Sequence, residues 1–162
     1  MKKNKYSALV KIMLAYFAFL LLGFIIGKAG EKQSLNIESV KNIDVIHAFL
    51  IILGRNTLAF IILLTSVILG KKMVYFFYGI NGYIIGLTIA KFKSLLFLIT
   101  ILPHGILEMG SFIATGYYLI RFIEELDSKF IKYACISYTG VFVAVFIESF
   151  ITPKLTLLLF SN

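Results

Sequence analysis

Five long apolar runs, separated by short stretches that hold most of the charge, leave this 162-residue chain few ways to fold. The first runs from Ile12 to Ile26 and extends back to Ala8. The others are Val45 to Leu69, Met73 to Ala90, Ser94 to Ile120 and Tyr133 to Ile151. A transmembrane helix needs about 20 mainly apolar residues. Hydrophobic residues make up 60% of the chain and charged ones 15%, more apolar surface than a soluble domain of this size could bury. The expected class is all-α: a polytopic membrane helix bundle, a single integral domain over 1–162. Lipid offers backbone groups no hydrogen-bond partners, so each span must be helical.

The charge pattern orients the bundle. Lys2, Lys3, Lys5 and Lys11 precede the first run, which is also the pattern of a secretory signal peptide. Its extension to Ala8 and the small pair Gly23 and Gly27, a close-packing motif, read better as a first span. With the N-terminus in the cytoplasm, nine basic residues fall inside (Lys2, Lys3, Lys5, Lys11, Lys71, Lys72, Arg121, Lys129, Lys132). Six fall outside (Lys28, Lys32, Lys41, Lys91, Lys93, Lys154), so the positive-inside rule favours that orientation in a cell membrane. Residues 28–45 form an external loop in this reading, and Arg121 to Lys132 a charged turn.

The net charge of +8 invites a nucleic-acid reading, but no basic stripe or reading module is present. Anionic lipid headgroups are the expected partners of the lysines. Cys135 is the only cysteine, so there is no intrachain disulfide and no cysteine metal cluster.

Two runs depart from simple spans. Gly54-Arg55-Asn56 interrupts the second, which is either one span with a polar centre or an interfacial or re-entrant helix followed by a shorter inserted piece. The fourth, about 27 residues, is longer than a perpendicular crossing needs. It contains Pro103 and Gly105, and the proline removes a backbone donor and clashes with the Ile99 carbonyl. A kink or break is expected there, and Pro153 is expected to stop the fifth helix.

Ionisable groups at membrane depth cost a few kcal/mol each, so they mark an interior. His104, Glu108, Ser111 and Thr115 recur at i, i+4, i+7 and i+11, one face of a helix. Ser137, Ala144, Glu148 and Thr152 share a face of the fifth helix. Two such faces imply a common polar interior, which Arg55, Asn56, His47 and Asn81 could complete. Three uses stay open: a structural cluster, in which Arg55 neutralises a glutamate and His104 bonds a carbonyl freed by Pro103; a polar pathway or docking groove; and a metal or hydrolytic site on His104, Glu108 and Glu148. One His-x-x-x-Glu pair falls short of the three or four convergent ligands a metal needs. No nucleophile motif, phosphate loop or dinucleotide fingerprint is present, and no cofactor is expected.

Four pieces together resemble the stage II sporulation protein M family of small membrane proteins. They are Arg55-Asn56-Thr57-Leu58-Ala59, Asn81-Gly82-Tyr83-Ile84-Ile85-Gly86, Pro103-His104-Gly105-Ile106-Leu107-Glu108 and Glu148-Ser149-Phe150-Ile151-Thr152-Pro153. The last three match its Asn-Gly-x-x-x-Gly, Pro-His-Gly-x-x-Glu and Glu-x-x-x-Thr-Pro patterns. Arg55 departs from an expected Asn-Asn, so an extra charge needs a partner. The resemblance implies a non-enzymatic membrane component. Namesake members hold peptidoglycan-degrading proteins at the septal membrane during engulfment, while other small members accompany circular bacteriocins in maturation, export or immunity. Expected partners are other membrane proteins, an ABC-type transporter, a second copy or a small peptide. The rivals are an intramembrane metal-dependent hydrolase and a small transporter or channel.

Overall fold

The first helix, α1 (Ser7–Gly27), lies along α4 (Lys71–Lys91), and glycines decide how closely. A Cβ built on Gly23 would fall on the Tyr83 carbonyl oxygen. One on Gly82 would fall on the Tyr16 carbonyl, and one on Gly86 on the Leu20 carbonyl. Lipid supplies no hydrophobic drive between helices, so close backbone contact of this kind holds them together. Tyr16 meets Gly82, Leu20 meets Gly86 and Gly27 meets Ala90. Numbers rise together, so α1 and α4 are parallel. The chain between them must therefore return to its starting side.

A computed structural model describes residues 7–30, 44–92 and 96–160. The expected external loop falls mostly on 31–43, and Lys2, Lys3 and Lys5 at the start; both lie outside the described residues. The returning helix is α2 (Val45–Leu64), continued after Thr65 by the short α3 (Ser66–Leu69). Asp44 caps its start by accepting from the N–H groups of Ile46 (3.1 Å) and His47 (3.2 Å), an arrangement worth about 1 kcal/mol. The helix runs uninterrupted through Gly54-Arg55-Asn56, and residues 45–69 make one 25-residue span, long and apolar enough to cross a membrane. Gly70, at φ 83°, turns the chain into α4, a conformation open to glycine.

The second half is a hairpin of α5 (Leu96–Glu125) against α6 (Lys129–Phe146), a π-helical turn (Ile147–Ile151) and α7 (Thr152–Phe160). Tyr118 stacks on Tyr133 at 3.8 Å and Phe122 packs on Phe130 at 5.3 Å, which sets the antiparallel register. The charged turn is shorter than expected. Helix includes Arg121–Glu125 and Lys129–Lys132, leaving Leu126–Ser128 between them. Ion pairs hold this end: Lys71–Glu124 at 2.6 Å joins α4 to α5, and Arg121 reaches Glu125 (3.2 Å) and Asp127 (2.9 Å).

α5 continues as one helix through Pro103 and Gly105, so of the expected kink or break the break is absent. Beside the Ile99 carbonyl, which loses its usual donor to the proline, the Thr152 hydroxyl faces the next carbonyl along, that of Thr100, at 3.5 Å. Pro153 does not stop the last helix either. The chain shifts to π-helical bonding just before it, with Thr152 N–H donating to the Ile147 carbonyl, and resumes as α7. A widened turn accommodates a proline that an α-turn would not, and π-turns of this kind occur often at functional sites.

All five spans are long and apolar enough to cross a membrane, and no strand occurs among the described residues. The buried centre includes Leu63, Val74, Tyr78, Leu119 and Ile120. Tyr78 is fully buried and donates its hydroxyl hydrogen to the Phe112 carbonyl.

Candidate functional site

Three aromatic residues form a floor beneath the polar groups. Phe112 lies 6.0 Å from Phe60 and 5.7 Å from Phe77, ring centre to ring centre, and Tyr138 adds a ring 5.2 Å from Phe60. Phe60 is one turn beyond Asn56 on α2, and Phe112 one turn beyond Glu108 on α5. Phe77 is one turn before Asn81 on the oppositely directed α4. Side chains four apart share a face. The same three helices therefore carry a polar layer of Asn56, Asn81 and Glu108 over an aromatic one.

Glu108 is half-buried, with Asn56 beside its carboxyl and the Arg55 guanidinium within electrostatic reach. Asn56 Nδ2 is buried and completes no hydrogen bond, so it lies near the carboxyl without good bonding geometry. Glu148, on the π-helical turn, lies within electrostatic reach of both Glu108 and Arg55. The two glutamates and Arg55 thus lie within electrostatic range of one another, with Arg55 on the exposed side and the glutamates half-buried. Tyr16 of α1 also lies within reach of Glu108. Nothing in the sequence separates Tyr16 from its many aromatic neighbours; only the position of α1 brings it here.

His104 is buried, 7% exposed, and meets Thr152 rather than a carbonyl freed by Pro103. Its Nδ1 is 3.2 Å from the Thr152 hydroxyl. That hydroxyl also faces the Ile147 carbonyl at 3.3 Å. The π-helical turn sets this position, since it determines where Thr152 falls on the helix surface. Thr100 and Thr156 are buried nearby on the same two elements.

The remaining expected members satisfy themselves locally or lie elsewhere. Asn81 donates to the Phe77 carbonyl at 2.9 Å within its own helix. Ser111 and Thr115 donate to the carbonyls of Leu107 (2.7 Å) and Ser111 (3.0 Å). His47 is exposed in the first turn of α2, apart from the cluster. Thr57 and Tyr138 share a hydrogen bond of 2.8 Å that joins α2 to α6, a pairing the sequence did not suggest.

Chemically, the site is one guanidinium, two carboxyls, an imidazole, an amide and hydroxyls in a partly enclosed interior. Among the described residues no three His, Cys, Asp or Glu side chains converge closely enough to hold a metal ion. His104, Glu108 and Glu148 therefore lack the geometry of a three-ligand centre.

A family model described as Stage II sporulation protein M matches residues 12–153. That match contains the three middle spans whole and most of the first and the last. No curated protein and no solved structure gave a match.

Proposed function

The chain belongs to the stage II sporulation protein M family, and from that membership we propose that it works as a non-enzymatic, multi-pass component of a membrane complex. Its role in this reading is circular-bacteriocin maturation, export or immunity, or engulfment during sporulation. The cell membrane is its place, with the N-terminus in the cytoplasm. The observation that carries the reading is how the membrane-depth polar groups are used. His104 is engaged by Thr152, and Glu108 has Asn56 beside it and Arg55 within electrostatic reach. Among the described residues no three ligands gather for a metal, which disfavours the hydrolase. The aromatic floor of Phe60, Phe77 and Phe112 closes the polar layer on one side, which disfavours a continuous pore.

Purification in mild detergent with metal analysis tests the proposal. The expected result is a particle heavier than the chain alone, containing other membrane proteins in fixed ratio and no stoichiometric metal. One zinc per chain, lost in His104→Ala, would overturn the scaffold in favour of the hydrolase. Ion flux through liposomes holding the purified chain alone would overturn it in favour of a channel. Loss of bacteriocin resistance or secretion in a deletion strain would select the first branch of the role, and arrested engulfment the second.

A further inference from the structure

We propose that the face of α2 centred on Gly54 and Arg55 is the interface of a two-fold dimer of this chain. Of the five spans, the one containing α2 is the least buried within the bundle. Ile51, Gly54, Arg55, Leu58 and Ile62 are all exposed, and their spacing lines them up along one stripe.

Two features of the stripe ask for a covering surface. Gly54 has open space, since a Cβ there would meet nothing within 4 Å. The glycines that join α1 to α4, in contrast, press against backbone. Gly54 is thus shaped for close helix approach, with no helix approaching it. Beside it, Arg55 is the eleventh residue of the 25-residue span, about 15 Å along the helix axis from its start. It is exposed and forms no ion pair at contact distance among the described residues. A guanidinium exposed at that depth, with carboxylates near it but none in contact, costs a few kcal/mol when it faces acyl chains.

The charges select the occupant. Arg55 lies within electrostatic reach of Glu108 and Glu148, so this region carries both signs. A two-fold axis places the same patch on both sides of an interface, and a patch of mixed sign then complements itself. Arg55 of one copy would face the partner's Glu148, and the reverse pair would form at the same time. A foreign helix with one acidic residue would answer Arg55 and leave Glu148 as it is. A second copy answers both.

The test uses the full-length chain in lipid nanodiscs, with Cys135→Ser to remove the native thiol. Under a membrane-permeant oxidant, Gly54→Cys is expected to form a disulfide-linked dimer. Leu14→Cys, on the exposed face of α1 (64% exposed), is expected to form at least tenfold less. Arg55→Glu and Glu148→Arg are each expected to lower dimer yield. Mixed together with different tags, they are expected to recover it as the mixed dimer, because the exchanged charges match only across the interface. A chain that stays monomeric, equal linking at Leu14 and Gly54, or Gly54→Cys linking only to a different protein would each overturn the proposal. If the charge variants fail to fold, the Gly54→Cys result alone decides.

Discussion

His104 and Thr152 lie on different helical elements, and their side chains meet at 3.2 Å, tying the middle of α5 to the first residue after the π-helical turn. An imidazole 7% exposed has few other partners to turn to. Removing the hydroxyl leaves a buried polar atom unmade, which costs about 1–3 kcal/mol. Thr152→Val should therefore lower the thermal midpoint in detergent by several degrees, while Thr152→Ser should lie close to the unaltered protein. Equal melting of the valine and serine variants would show that the contact is incidental.

Glu108 and Leu107 are adjacent in sequence and opposite in situation. Leu107 is 41% exposed, whereas Glu108 is half-buried beside Asn56, with Arg55 within electrostatic reach. Losing one member of a buried charge cluster costs about 3–5 kcal/mol when the other is left uncompensated, and less where it reaches the surface. Glu108→Ala should destabilise the protein or its assembly clearly more than Leu107→Ala. Glu108→Gln, which keeps the shape beside Asn56, should fall between them. Melting curves and the yield of assembled particle measure the order.

Gly86 is the tightest point of the α1–α4 pair, where an added Cβ would fall on the Leu20 carbonyl. Backbone cannot swing aside as a side chain can, so the helices would have to part. Gly86→Ala should cost about 1–3 kcal/mol, and Gly54→Ala, with open space, should cost little. Thermal melts of both variants in one detergent compare them directly.

Leu126 closes α5 with φ 53°, a left-handed conformation that disfavours a branched side chain by roughly 1 kcal/mol or more. It is also 78% exposed, so little packing is lost when it is replaced. Leu126→Gly should raise the thermal midpoint slightly. A fall would mean that the leucine anchors the turn at the membrane surface.

The proposed orientation is checked with Asn36→Cys in a Cys135→Ser background. An impermeant thiol reagent should label intact cells from outside. Labelling only after permeabilisation would reverse the topology.

Sequence alone determined the number of spans, their helical nature and the two polar faces. These are local properties: apolar length matches bilayer thickness, lipid forces backbone groups to pair within a helix, and helical spacing sets which side chains share a face. The recurring Gly23 and Gly27, and Gly82 and Gly86, showed that helices would approach closely, but not that these two pairs face each other. Tertiary structure decided that match, together with the Tyr16 approach to Glu108, the Thr57–Tyr138 bond and the partner of His104. It also decided the two prolines. A proline in a sequence reports a missing donor, whereas the outcome depends on the surrounding helix: α5 continues through Pro103, and a widened helical turn precedes Pro153. Groups remote in the chain become partners only when helices pack, and no local pattern encodes which helix lies beside which.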